Sequence, residues 1–235
     1  MPDFSTRSNA LEIMDDLHCS GEVVHQTLRE LETINYLLGG NYVTIDGVSQ
    51  LLSDRSGSRP VTIADLGCGS GDLLKLICRW GTKRNLNLIL KGIDANPNIV
   101  AYARDNTPRD SGIQYEAIDI FSEEFKSRKY DVMVGTLFFH HFSAEQLVSF
   151  FRQAKQQASI GIVVNDIHRH WFAYYSIRWL TRLLSKSAMV KFDAPLSVLR
   201  AFRKKELKEI MARAGITNYT LKWMWAFRWQ LVIRF

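Results

Sequence analysis

The sequence that decides the fold of this 235-residue chain is Val61-Thr62-Ile63-Ala64-Asp65-Leu66-Gly67-Cys68-Gly69-Ser70-Gly71. Its first half is apolar and rich in β-branched residues, which predicts a buried strand. Its second half is glycine-rich, and a helical pattern over Leu73–Trp80 follows. Glycine lets the backbone turn tightly and approach a ligand, and the start of a helix offers unpaired N–H groups. The stretch therefore predicts a ligand site between a strand and a helix.

Three interpretations of this turn compete. A dinucleotide site, G-x-G-x-x-G, needs glycine at position 72, but the chain has Asp72, whose charge would repel a pyrophosphate. A hydrolase elbow, G-x-S-x-G around Ser70, needs glycines at positions 68 and 72 and finds Cys68 and Asp72. The third pattern, D-x-G-x-G-x-G, suits a cationic ligand without phosphates.

Strands and helices alternate on the C-terminal side of this turn. Further strands are predicted at Leu88–Ile93, Ile113–Ile118, Tyr130–Gly135 and Ile160–Asn165, and helices begin at Asn96-Pro97 and at the capping box Ser143–Gln146. Helices are also expected over residues 9–52, interrupted at Gly39-Gly40, and over Trp171–Leu184 and Arg203–Ala214, with two strands around Ala226-Phe227 and a linker over Ser53–Pro60.

This alternation predicts a doubly wound α/β fold. We expect a mostly parallel seven-stranded sheet with an antiparallel C-terminal strand, N-terminal helices and a helical cap insertion. The predicted units are an N-terminal helical cap over residues 1–59 and a ligand-binding domain over residues 60–235, with residues 167–202 as a helical lid.

The acidic glycine pattern resembles motif I of the class I S-adenosylmethionine (SAM)-dependent methyltransferases, and the resemblance extends over about residues 60–166. It implies SAM as cofactor, with Asp65 and Gly67 facing its amino group. Asp94, 29 residues after Asp65, would bind the ribose hydroxyls, because one carboxylate can accept two hydrogen bonds. Asp119 would bind the adenine amino group, with Ile120 beside the ring. The remaining cofactor residues that this resemblance implies are Cys68, Gly69, Gly71, Ala95 and Thr136.

A second resemblance concerns the acceptor. Phe138–Phe142, Asn165–Arg169 and Leu196–Phe202 are similar to segments of small-molecule methyltransferases associated with type III polyketide synthases. It implies a phenolic, polyketide or quinone-like acceptor. His140 matches the histidine of plant phenolic O-methyltransferases, and His141 stands in place of the acid that follows it there. Both are candidate catalytic residues, since imidazole can accept a proton near neutral pH.

Other residues near the predicted rim of the sheet have alternative assignments. Asp166, His168 and Arg169 would follow the fifth strand and line the acceptor pocket or orient a base, although Asp166 could equally cap a helix. The aromatic helix over residues 171–186 carries Arg178 and Arg182, and it predicts either a lid over the acceptor or a peripheral contact with an anionic membrane.

Composition and charge bound the remaining possibilities. The three cysteines lack metal-ligand spacing, and no apolar signal sequence or membrane span is evident, so a reduced cytoplasmic protein without a metal is expected. Residues 165–235 carry 14 Lys/Arg and 4 Asp/Glu, a charge of +10, whereas residues 1–164 carry −4. The basic part favours an anionic partner or a solvated surface.

The leading hypothesis is SAM-dependent O-methylation of a small hydrophobic aromatic acceptor. One alternative is an RNA or DNA methyltransferase. The Gly-Thr-Leu-Phe-Phe-His sequence after the fourth strand lacks the Pro-Pro-aromatic motif of base amino-group methylases, and no RNA-binding module is recognisable. The other alternative is a SAM-binding domain without catalysis that serves a partner. The sequence does not determine the oligomeric state.

Overall fold

The computed structural model describes residues 2–53 and 59–235, so most of the predicted linker lies outside the described residues. Within them, seven strands form one sheet in the order β3-β2-β1-β4-β5-β7-β6. Strand β7 runs antiparallel to both its neighbours, and the pairs among β1 to β5 are parallel. The strands are β1 (Val61–Leu66), β2 (Leu88–Asp94), β3 (Gln114–Ala117), β4 (Tyr130–Thr136), β5 (Ala158–Ile167), β6 (Tyr219–Met224) and β7 (Arg228–Arg234). The expected fold class is confirmed.

Helices cover both faces of the sheet and its carboxyl edge. They are α1 (Glu22–Leu37), α2 (Gly40–Leu51), α3 (Asp72–Thr82), α4 (Pro97–Asp105), α5 (Glu123–Ser127), α6 (Ala144–Gln157), α7 (Trp171–Leu184), α8 (Ala188–Arg200) and α9 (Lys204–Ala214). One buried apolar cluster joins the sheet to α5, α6 and α9, and another joins it to α2, α3 and α4. Helices α1 and α8 meet α4 in a third, smaller cluster at the edge.

Most predicted elements lie where the sequence places them, and the differences have local causes. The helical prediction for residues 9–52 was wrong before Glu22, where the structure has a single short 3-10 helix at Ile13–Asp15. Strand β5 extends to Ile167, because its last residues pair with the start of β7. Asp166 therefore lies inside a strand, which excludes the alternative that it caps a helix; that cap is His170.

The sheet reverses its strand order between β1 and β4, with β2 and β3 on one side and β5 on the other. In open parallel sheets such a reversal leaves a crevice outside the carboxyl ends of the strands, because the connections diverge there. Asp65 pairs with Gly92 on β2 and with Val134 on β4, so the carboxyl ends of these strands are level.

Helix α7 covers this crevice and also presents an apolar surface outward. Its inner face, including Ala173, Ile177 and Leu180, lines the cavity, as the lid interpretation expects. Its outer face exposes Trp179 at 68% and Leu183 at 69% of their surface. The peripheral membrane contact stays a prediction. Among the described residues, every helix is too short or too polar to cross a bilayer.

Helix α2 lies directly against the sheet because Gly47 has no side chain. A Cβ on Gly47 would lie 2.5 Å from a methyl group of Val163. Alanine would favour the helix by about 1 kcal/mol over glycine, but overpacking in a dense core costs about 1–3 kcal/mol.

We predict that Gly47→Ala lowers the free energy of unfolding by up to about 2 kcal/mol in urea denaturation. The double variant Gly47→Ala/Val163→Ala removes the methyl groups that clash, and it should be more stable than the sum of the two single changes predicts. Strictly additive effects would contradict the proposed contact.

Candidate active site

A cavity of about 1110 Å³ occupies the crevice at the carboxyl edge of the sheet. Ligand pockets commonly measure about 300–1,000 Å³, so this cavity has room for a cofactor beside an acceptor. With the exception of Gly71, the cofactor and catalytic residues expected from the sequence line it, namely Asp65, Gly67, Cys68, Gly69, Asp94, Ala95, Asp119, Ile120, Thr136, His140 and His141.

The glycine-rich turn forms the floor of the cavity beside β1. The N–H groups of Gly67 and Cys68 both donate to the carbonyl of Ile93, at 2.8 and 3.1 Å, which ties the turn to β2. Gly67 has φ +67°, and a Cβ there would lie 2.2 Å from the Phe138 ring. This position therefore accepts only glycine without rearrangement.

Gly71 has a structural reason of its own. It has φ +76°, and a Cβ would lie 2.2 Å from the Tyr115 hydroxyl. It precedes α3, behind the cavity wall. Glycine at position 71 therefore allows the turn to enter α3 in close contact with Tyr115.

Asp65 presents a buried carboxylate without a partner. Its Oδ1 atom has no hydrogen-bond partner among the described residues. Burial, together with repulsion from Asp72 and Asp94, raises its pKa well above the ordinary value. An unpaired buried carboxylate is costly, and a positively charged ligand group would relieve that cost. The amino group and sulfonium of SAM fit this requirement.

Asp94 lies at the end of β2. Its Oδ1 accepts a hydrogen bond of 3.0 Å from the Asn96 N–H, which fixes the carboxylate at the cavity wall. Burial raises its pKa. A carboxylate has about four acceptor sites, so it retains capacity for further donors such as vicinal hydroxyls.

The loop after β3 and the end of β4 complete this half of the cavity. Asp119 is exposed and accepts from the Phe121 N–H at 2.9 Å, while Ile120 is buried. The hydroxyl groups of Thr136 and Thr44 form a hydrogen bond of 2.6 Å, which links β4 to α2.

The two histidines lie on a short 3-10 helix, Phe139–His141, that follows β4. His140 is 2% exposed. Its Nδ1 is 2.7 Å from Asp166 Oδ1, and its backbone N–H donates to the other oxygen of the same carboxylate. His140 Nε2 has no hydrogen-bond partner among the described residues. Asp166 thus orients the ring of His140. The acid that follows the histidine in plant phenolic O-methyltransferases is replaced here by His141, so the sequence alone left this partner open.

The charge of His140 follows from its neighbours. Burial opposes the imidazolium, but the facing carboxylates of Asp166 and Glu12 outweigh it and raise the pKa of His140 to about 9. Glu12 Oε1 lies 3.5 Å from His140 Nε2, an ion-pair distance too long for a good hydrogen bond.

The sequence did not identify the acidic side of this site. Glu12 and Asp15 come from the segment before α1, and Asp15 Oδ1 lies 2.6 Å from Nδ1 of His141. Asp15 is also paired with Arg200. We call His140, His141 and the carboxylates of Glu12, Asp15 and Asp166 the histidine centre. The two histidines and Asp166 could be named as candidates from the sequence, but Asp15 lies 126 residues from His141, so no local pattern signals it or Glu12.

Part of the histidine centre has a spacing that a metal ion would accept. Glu12, His140 and His141 each offer a ligand atom within 4.8 Å of the other two. However, the Arg200 guanidinium lies 3.5 Å from the same Glu12 oxygen, and this fixed positive charge disfavours a second cation. The expectation of a site without metal stays a prediction.

Two residues expected at the pocket lie elsewhere. Arg169 is buried behind β5 and forms a bidentate ion pair with Glu206, at 2.6 and 3.0 Å. His168 forms a β-bridge with Phe202, and its ring contacts that of Trp229 at a tilt of 58°. Neither is among the residues that line the cavity, so the assignment of His168 and Arg169 to the acceptor pocket was wrong. Their segment packs against Phe202 and the start of α9, and the chain then enters α7.

Comparison with known proteins agrees with this geometry. Residues 63–159 match a family model described as a methyltransferase domain. This region contains the glycine-rich turn, Asp94, Asp119 and both histidines. No curated protein matches the sequence of the chain.

Solved structures share the fold at low sequence identity. The plantazolicin methyltransferase BpumL, in complex with a triazolic analog and SAH, is 15% identical over 89% of this chain and 90% of its own, with a TM-score of 0.66. Human N-acetylserotonin methyltransferase, in complex with SAM, is 15% identical over 91% of this chain and 56% of its own, with a TM-score of 0.60. The CurJ carbon methyltransferase is 14% identical over 82% and 53%, with a TM-score of 0.60.

The domain match, the sheet order and the acidic glycine-rich turn therefore agree with one another. Residues 63–159 form a methyltransferase domain, SAM is the cofactor, and the enzyme is a SAM-dependent methyltransferase.

Proposed function

We propose that the enzyme methylates a hydroxyl group of a small hydrophobic aromatic acceptor. The observation that carries this proposal is His140, which lines the cavity with a buried carboxylate behind its Nδ1 and no hydrogen-bond partner at its Nε2 among the described residues. A phenol has a pKa of about 10, near that of tyrosine. In its neutral form, an imidazole whose pKa is about 9 is a base nearly matched to such a phenol and can accept its proton.

The cofactor half of the cavity supplies binding and orientation. SAM carries a methyl group on a positively charged sulfonium, which a nucleophilic oxygen can displace. We assign Asp65 to its amino group, Asp94 to its ribose hydroxyls, and Asp119 with Ile120 to its adenine. The backbone of the glycine-rich turn and Thr136 lie between these groups and hold the methionine part.

The other half of the cavity is apolar, which supports an aromatic or hydrophobic acceptor. Its walls come from the segment before α1, from α1, α7 and α8, and from the β6–β7 turn. The apolar residues there are Leu11, Leu17, Ile34, Leu38, Phe172, Ile177, Leu180, Val198, Trp223, Trp225 and Phe227. Enclosure by these side chains excludes water and keeps the reacting groups in fixed positions.

The charge of the cavity argues against a nucleic acid. Arg228 is the single Lys or Arg side chain among the described residues that line it, whereas eight carboxylates do so. Phosphate-binding proteins place clusters of Lys and Arg at the ligand. The basic residues of the last third of the chain are therefore not arranged around the reaction site.

The proposal can be tested with methyl-labelled SAM and two acceptor pools. One pool contains phenols and quinols, and the other contains bulk tRNA and rRNA. We expect label in the small-molecule pool, with loss of labelling in His140→Gln and normal labelling in His25→Gln, a partly exposed histidine beside Glu22. Label in the nucleic acid would overturn the proposal.

We predict that Asp94→Ala weakens binding of S-adenosylhomocysteine (SAH) at least tenfold in calorimetry. The lost hydrogen bonds to a charged carboxylate are each worth about 1.5–3 kcal/mol. Asp105→Ala, an exposed acid at the end of α4, serves as the control and should leave the affinity unchanged. Affinity within twofold of the wild type in Asp94→Ala would remove the ribose assignment.

A pH profile tests the role of His140. The base form of an imidazole with a raised pKa predominates only above that pKa, so kcat/KM should rise with pH until about pH 9. Asp166→Asn removes the carboxylate that raises this pKa, and the rising limb should move to lower pH. Ionisation of the acceptor itself would not move between the two proteins, so an unshifted limb would contradict the assignment.

A further inference from the structure

Arg228, the first residue of β7, is a buried cation that faces the cavity. It is 3% exposed and belongs to the cavity wall. Its Nη2 donates to the side-chain oxygen of Asn35 at 2.8 Å, and its Nη1 donates to that of Asn165 at 3.3 Å. Its Nε has no hydrogen-bond partner among the described residues.

The other deeply buried arginine side chains are each neutralised. Arg169 is paired with Glu206, and Arg200 with Asp15 and Glu12. Within the described part of the chain, Arg228 has no carboxylate within ion-pair distance, and its partners are neutral amides. Two buried arginines are therefore neutralised by carboxylates of the protein, whereas the described residues supply no carboxylate to Arg228, which lines the cavity.

Burial without an anion is costly for a guanidinium. Burial lowers the pKa of Arg228 to about 10, and the distant charge of Asp166 offsets this only in part. A buried charge is normally paired or bound to a ligand. The surrounding structure nevertheless leaves space for the guanidinium. A Cβ on Gly40, the first residue of α2, would lie 2.6 Å from the guanidinium carbon of Arg228, so glycine is needed there.

Arg228 lies in the acceptor half of the cavity. Its strand, β7, is separated from β1 by β4 and β5, which places their backbones roughly 14 Å apart at the usual strand spacing. Asp65, the residue assigned to the amino group of SAM, is at the end of β1. The carboxylate of an amino acid shares one carbon with its amino group, so the amino-acid part of SAM stays near β1.

We propose that Arg228, held by Asn35 and Asn165, is the receptor for a carboxylate or similarly acidic oxygen group on the acceptor. This inference rests on the acceptor site of the proposed function and defines its substrate class more closely, as an aromatic hydroxy acid. The planar guanidinium matches a carboxylate with two parallel hydrogen bonds. His140, on the loop after β4, would face the hydroxyl while Arg228 binds the acid.

The test measures binding, so that it is independent of methyl transfer. SAH-saturated protein is titrated with hydroxybenzoates, hydroxycinnamates and hydroxynaphthoates, each paired with its methyl ester. We expect at least one acid to bind roughly ten- to hundredfold more tightly than its ester, as charge-assisted hydrogen bonds predict. In Arg228→Gln, which keeps an amide donor, the preference should fall to within about twofold.

Two further variants control this experiment. Arg228→Lys keeps the charge without the two-pronged donor, so it should retain an intermediate preference for the acid. Arg234→Gln alters an arginine on the same strand outside the cavity lining and should behave as the wild type. Unchanged SAH affinity in all three variants verifies that the site is folded.

Three results would overturn the inference: no acid in the panel binds better than its ester, the preference persists in Arg228→Gln, or that variant weakens SAH binding itself. Weaker SAH binding in Arg228→Gln would mean that Arg228 binds the carboxylate of the cofactor and not one on the acceptor. If acids bind through Arg228 but none is methylated on oxygen, the proposed reaction fails while the anion site stands.

Discussion

The hydrogen bond between His140 and Asp166 joins the parts of this active site. It connects the loop after β4 to the last residues of β5, and both side chains are buried. The segment before α1 is added to the same point, because Arg7 donates to the carbonyl of His140 and Glu12 faces its ring. The paired members of this buried network hold the loop, the strand and the N-terminal segment in place, whereas His140 Nε2 and Glu12 Oε1 have no hydrogen-bond partner among the described residues.

The two halves of the cavity are built in different ways. The cofactor half comes from successive strand-to-helix turns after β1, β2 and β3, where the parallel sheet brings the side chains to one edge. The acceptor half is assembled from segments that precede β1 and follow β5. Its polar groups find partners by tertiary packing, as in the bonds from Ile13 and Met14 N–H to Asp193.

This difference explains what the sequence could predict. The cofactor residues follow short strands with clear β-branched patterns and helix caps, so Asp65 and Asp94 could be placed from local signals. Helix α8 falls within the helical lid predicted over residues 167–202, but its bounds were not predicted, and Pro195, a residue that normally interrupts a helix, lies inside it. Glu12 and Arg228 carry no local signal, since their partners lie far away in the chain and only the folded sheet brings them together.

The division of the cavity has an evolutionary consequence. The glycine-rich turn is constrained at every step, since Gly67 has no space for a side chain beside Phe138. The walls around the acceptor consist mainly of apolar side chains on α1, α7 and the β6–β7 turn, whereas the hydrogen bond between α1 and the glycine-rich turn involves Glu32, which accepts from the Ser70 hydroxyl at 3.4 Å. Mutations in these walls can therefore change which molecule is accepted while cofactor binding is retained. A lineage of such enzymes can diversify its substrates without passing through inactive intermediates.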